Sequence, residues 1–162
     1  MVVAMNPCKC GWYGHPSGRC RCSENEIRRY HARISGPLLD RIDLIVEVPA
    51  LDFAELRRRE PAESSEAVRG RVNAARELQR ERFGSGAEYN ARMGSAELRR
   101  FCALDTEGEA LMRAAFDTMN LSARSHDRIL RVARTIADLE GAERIEAAHL
   151  AEAIQYRTYE WT

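Results

Sequence analysis

The sequence predicts the edge of an α/β layer followed by a helical bundle. Two short apolar segments, residues 2–5 and 44–48, have the β-branched content of buried strands and bracket one helix. Beyond residue 51 every periodic segment carries a helical repeat, and Gly and Ser punctuate the segments as helix stops and starts.

Val2, Val3 and Ala4 open the chain as a short strand with nothing before it. A lone strand needs a partner, so further chain is expected upstream. Gly, Pro and Ser make residues 11–18 a loop. Ser23 then caps a helix expected to run to about Arg33, with Glu24 and Glu26 at the positive end of its dipole. Gly36 and Pro37 break that helix, and Leu38 and Leu39 begin a short turn that ends at Asp43. The second strand, Leu44-Ile45-Val46-Glu47-Val48, stops at Pro49.

Residues 64–83 read as a long, highly charged helix. Its apolar positions, Val68, Val72, Ala75 and Leu78, form a narrow stripe that buries little, as in an arm or a partner-facing element. Gly84 to Gly86 end it. A short helix capped at Ser95 follows, then helices over 106–119, 122–139 and 146–159 that form a compact bundle. Gly141 ends the third of these, and Ile145 is a brief strand-like bridge.

The 162 residues, 44% of them apolar, suffice for one core, or one core and a small satellite. With 25 basic and 25 acidic residues the net charge is zero, so attraction to nucleic acid or membrane would have to be local. No apolar run reaches the roughly 18 residues of a membrane span, and the first residues lack the basic-then-apolar pattern of a signal peptide. The expected compartment is the cytoplasm, where clustered cysteines point to metal or chemistry more than to disulfides.

Cys8, Cys10, Cys20 and Cys22 form two Cys-x-Cys pairs in a Gly-rich loop. Four thiolates at this separation can enclose a tetrahedral zinc and fasten a loop too polar to fold on apolar contacts. The alternatives are four reduced thiols or disulfides, and His15 could replace one thiolate. A closed four-ligand site would be structural. Cys102 reads as a small core residue.

Four runs carry a resemblance: Ala-Met-Asn-Pro-Cys (4–8), Ser-Gly-Pro-Leu-Leu-Asp-Arg-Ile-Asp-Leu (35–44), Leu-Ser-Ala-Arg (121–124) and Arg-Ile-Leu-Arg-Val-Ala-Arg-Thr-Ile-Ala-Asp-Leu (128–139). Together they resemble the C-terminal part of the ComM/YifB proteins, AAA+ ATPases related to the magnesium-chelatase ATPase subunit. The resemblance implies an α/β fragment plus an α-helical lid. The last two strands of an AAA+ core sheet and the four-Cys loop (8–22) would occupy 1–50, an inserted helical arm 51–90 and the lid 91–162.

It also implies roles. Asn6 would be sensor 1, holding the attacking water near the γ-phosphate. Arg41 would be the arginine finger, projected onto a neighbouring subunit's nucleotide. Arg124 would be the sensor 2 arginine, with Arg131 a second choice for nucleotide contact. Arg128 and Arg131 share its face at i+4 and i+7. The full-length protein would be a hexameric ring using ATP and Mg to move along or remodel DNA, associated with branch migration in natural transformation. The chain contains no Gly-x4-Gly-Lys-Ser/Thr and no Walker B strand, so on its own it is not expected to hydrolyse ATP.

Lys9, Arg19, Arg21, Arg28, Arg29 and Arg33, with Trp12 and Tyr13 among them, could grip single-stranded nucleic acid or simply face solvent or a subunit. Two other functions compete with the motor: a zinc-stabilised nucleic-acid or protein-binding module, and a chelatase-type subunit.

Overall fold

A computed structural model describes residues 2–50, 57, 63–84, 89–119 and 121–157. The chain divides into two compact units, the first comprising Met1–Ile42, Glu47–Arg57 and Glu160–Thr162, the second Asp43–Val46 and Arg58–Tyr159.

In the first unit, helix α1 spans Glu24–His31. Its start follows from the sequence: the Ser23 hydroxyl accepts the Glu26 N–H, and the Glu26 carboxylate accepts the Ser23 N–H at 3.0 Å, a reciprocal capping box. Helix α2 is a single turn, Gly36–Leu39. Pro37 lies in its first turn, where a missing N–H costs nothing, so the Gly-Pro pair starts a helical turn as well as ending the preceding segment.

The second unit is helical: α3 (Ser65–Phe83), a 3-10 turn (Asn90–Arg92), α4 (Ser95–Phe101), α5 (Thr106–Met119), α6 (Ala123–Glu140) and α7 (Ala147–Gln155). Its centre is α6, against which α3, the 3-10 turn, α4 and α7 pack, while α5 packs on α7. Ile129, Leu130, Ala133 and Ile136 of α6 join Met93, Leu98, Met112, Leu150 and Ile154 in one apolar core. Serine 122 caps α6, its hydroxyl accepting the Ser125 N–H at 3.2 Å, and Gly141 ends it in the left-handed conformation at φ 72°.

Several expectations need correction. The two segments expected as the last strands of a sheet are not strands: no strand occurs among the described residues. Apolar, β-branched content favours an extended backbone, but a strand also requires a ladder of partners. Val2, Val3, Val46 and Val48 are exposed, and the backbone bond of the second segment runs from Ile45 N–H to the Tyr156 carbonyl at 3.0 Å, onto a helix end. Ile145 is buried core rather than a strand-like bridge. Ser95 is the first residue of α4, and Gly94 precedes it as the cap, its N–H donating to Glu97 Oε2 at 2.9 Å.

Of the stripe on α3, only Ala75 is buried; Val68, Val72 and Leu78 stay exposed while Gln79 is buried. The helix joins the rest of the unit through its second half, where Phe83 packs against the core, Arg82 pairs with Asp138 and Gln79 Oε1 accepts the Asn90 N–H. Expected helix over 51–56, 58–62 and 158–159, and Gly86, lie outside the described residues. Among the described residues no helix is long and apolar enough to cross a membrane.

Candidate functional site

The four cysteines converge. Their sulfur atoms all lie within 4.8 Å of one another, with Cys8 to Cys10 at 3.4 Å, Cys8 to Cys20 at 3.8 Å and Cys10 to Cys20 at 3.7 Å. All are free thiols, so the disulfide alternative is not realised. The loop that brings them together turns on Gly11, with φ 83°, whose N–H donates to the Cys8 carbonyl at 3.0 Å.

The cluster is electrostatically frustrated as four thiols. The backbone N–H groups of Arg21 and Trp12 favour the thiolate of Cys10 and hold it down at about 6. Burial opposes ionisation of Cys8, but N–H donors from Tyr13 and Cys10 outweigh it and lower that thiol too. Cys22 accepts the Cys10 N–H, which lowers it, yet the Cys10 side chain, desolvation and the neighbouring negative charge push it up to about 12. Once one thiolate forms, the others resist, and a cation among them relieves the repulsion. The donor set is compatible with zinc.

His15 lies outside this set. Its Nδ1 accepts the Ser17 N–H at 3.0 Å and its ring meets Trp12 edge-on at 4.9 Å. Trp12 is half-exposed, with the Arg19 guanidinium 5.1 Å from its ring centre, so Arg19 occupies one face that a base would stack on.

Asn6 is exposed immediately before this loop; a Cβ added at Gly11 would lie 3.8 Å from its carboxamide. The Pro7 carbonyl accepts His31 Nε2–H at 2.7 Å, a contact the sequence did not announce, since His31 is 24 residues away. Arg41 follows α2 and is exposed, its backbone N–H donating to the Leu38 carbonyl at 2.9 Å.

In the second unit, Arg124 is exposed in the first turn of α6 and lines a cleft of about 540 Å³ with Phe116, His126, Asp127, Arg128 and Arg131. The expected shared face of Arg124, Arg128 and Arg131 is therefore present. Their individual commitments differ. Arg128 is ion-paired with Asp43, and Arg131 forks onto the Met93 carbonyl through Nε at 3.0 Å and a terminal nitrogen at 2.7 Å. Arg131 thus stitches the 3-10 turn to α6. Sequence reasoning missed His126 and Asp127; the polar run 124–128 behind a Ser cap was the available signal.

Two family profiles match the chain: "Magnesium chelatase, subunit ChlI C-terminal" over residues 62–157 and "Magnesium chelatase, subunit ChlI" over residues 1–56. The chain is 42% identical to competence protein ComM of Haemophilus influenzae, 40% to the uncharacterized protein YifB of Escherichia coli and 37% to YifB of Salmonella typhimurium. Each alignment covers 97% of this chain, which spans 30% of the length of each relative. With the first profile covering more than half of it, the chain belongs to the magnesium-chelatase ChlI family, and its alignments place it as the C-terminal part of the ComM/YifB proteins.

Proposed function

We propose that this chain carries the sensor and finger residues of a ring-forming ATPase that acts on DNA, with the phosphate-binding loop supplied by the remainder of the protein. The observation that carries the reading is the Arg124 cleft. It opens at the N-terminus of an 18-residue helix, where the helix dipole favours anions, and it gathers Arg124, Arg128 and Arg131 on one side. Because Arg128 and Arg131 are engaged by Asp43 and Met93, Arg124 is the arginine of the three best placed to take a phosphate as sensor 2.

Asn6 and Arg41 complete the assignment. A carboxamide at Asn6 can both donate to and accept from a water, which orients it for attack without removing its proton. A guanidinium at Arg41 neutralises charge developing on a transferring phosphoryl group, and it does so for a neighbouring subunit. That role requires an oligomer, for which a hexameric ring is the proposed form, and DNA as substrate is consistent with the competence protein among the relatives. The domain division 1–50, 51–90 and 91–162 is part of the same proposal.

Replacing Arg124 by Ala in the full-length protein tests the reading through steady-state ATP hydrolysis. The expected loss is at least about tenfold, the scale of one charge-assisted hydrogen bond. Arg113→Ala, on α5, serves as the control and retains activity. Hydrolysis unchanged by Arg124→Ala removes the cleft from the mechanism.

A further inference from the structure

We propose that Cys8, Cys10, Cys20 and Cys22 hold one zinc ion in a closed four-thiolate knuckle, and that this knuckle fixes the position of Asn6. The first half rests on geometry. A zinc ion with four sulfur ligands at about 2.3 Å in a tetrahedron sets its sulfurs about 3.8 Å apart. The separations among Cys8, Cys10 and Cys20, at 3.4, 3.8 and 3.7 Å, fall close to that edge, and the Cys22 sulfur lies within 4.8 Å of the other three. What favours a metal is the convergence of all four sulfurs in a loop where Cys10 is exposed and Cys20 and Cys22 are only partly buried, so that little apolar burial is available to gather them.

The loop geometry serves the same ligand set: the Gly11 N–H closes a turn onto the Cys8 carbonyl at 3.0 Å, which folds the chain back so that the second Cys-x-Cys pair meets the first. Four thiolates around a divalent cation leave two units of negative charge, and Lys9, Arg19 and Arg21 lie beside the ligands in sequence. Soft sulfur donors select zinc over magnesium or calcium. With all four positions taken by protein, no site remains for substrate, so the ion is structural.

The second half follows from how the knuckle is connected. Cys8 is two residues from Asn6, and Cys22 directly precedes Ser23, the cap of α1. At the other end of α1, buried His31 donates Nε2–H to the Pro7 carbonyl at 2.7 Å. Metal, Cys8, Pro7, His31, α1, Ser23 and Cys22 therefore form a closed circuit, and Asn6 leaves it one residue from the Pro7 clamp. Gly11 within the loop also lies against the Asn6 carboxamide. The zinc assignment is independent of nucleotide chemistry; only the purpose of holding Asn6 rests on the sensor role proposed above.

Elemental analysis of the 162-residue chain, purified without chelator, is expected to give about one zinc per chain, falling below a tenth in the Cys10→Ser/Cys22→Ser double variant and unchanged in Cys102→Ser. If the double variant does not fold, titrating the native chain with an organomercurial thiol reagent, with released zinc read by a metallochromic dye, gives the same stoichiometry. Zinc well below one per chain, or stoichiometric iron in its place, overturns the site. In NMR spectra recorded before and after zinc removal, the Asn6 side-chain amide and the His31 backbone amide are expected to shift, with Ile129 reporting that the helical core is intact. An Asn6 signal that ignores zinc removal overturns the positioning role while leaving the metal site standing. Neither readout uses nucleotide, so loss of the ATPase reading would not be confused with loss of this one.

Discussion

The carboxylate of Asp138, on α6, is fully buried and receives the guanidinium of Arg82, the penultimate residue of α3, in a two-point ion pair. The same carboxylate accepts Asn90 Nδ2–H at 2.7 Å and Arg134 Nε–H at 3.0 Å, while Arg134 donates onward to the carbonyls of Ala142 and Glu143. One acidic side chain therefore joins α3, the 3-10 turn, α6 and the chain beyond it. Removing it would strand two arginines with little access to water. Asp138→Ala is expected to destabilise the helical unit by ~3–5 kcal/mol in urea unfolding followed by circular dichroism. A loss under 1 kcal/mol would show that the network is dispensable.

Cys102 is distinguished from the other four thiols by its burial in the apolar core beside Met93. Desolvation pushes its thiol up to about 11, so at pH 8 almost none is thiolate. Iodoacetamide treatment of the folded chain followed by peptide mass spectrometry should leave Cys102 unmodified, and modification should appear once urea unfolds the core. Rapid labelling of Cys102 in the native chain would contradict the packing of α4.

The capping box of α1 makes a prediction with a definite sign. The Ser23 backbone N–H, followed by the Ser23 hydroxyl, holds the Glu26 carboxyl below its ordinary 4.5. A depressed acid contributes stability that is fully present above the unfolded value and is lost as pH falls through the folded one. Helix α1 should thus keep its N-terminal turn down to about pH 4.5 and fray below it, as read from the Ser23 amide shift in an NMR titration. In Glu26→Gln the same amide should show no transition in that range.

What the sequence made legible was local. Ser122 and Gly141 mark the ends of α6 because a hydroxyl cap and a left-handed glycine act within one turn. The cysteine cluster was legible for the same reason: two Cys-x-Cys pairs and a glycine turn leave little freedom. The Asp138 network was not, because Arg82, Asn90 and Asp138 meet across 48 to 56 residues, and charged residues on helices ordinarily face water. The stripe on α3 was legible as one too narrow to bury much, and Val68, Val72 and Leu78 are exposed; what its pattern did not show is that polar Gln79 is buried. The apolar runs at 2–5 and 44–48 have strand composition, but pairing is non-local, and composition alone does not supply a partner.

The central claim is that Arg41 acts on a neighbouring subunit's nucleotide. The most direct test is Arg41→Ala in the full-length protein, with ATP hydrolysis and nucleotide affinity measured on the same preparation. Turnover is expected to fall by about 10³-fold or more, the range of a lost arginine finger, with affinity changed by less than a few fold. Turnover at the unsubstituted rate would contradict that claim.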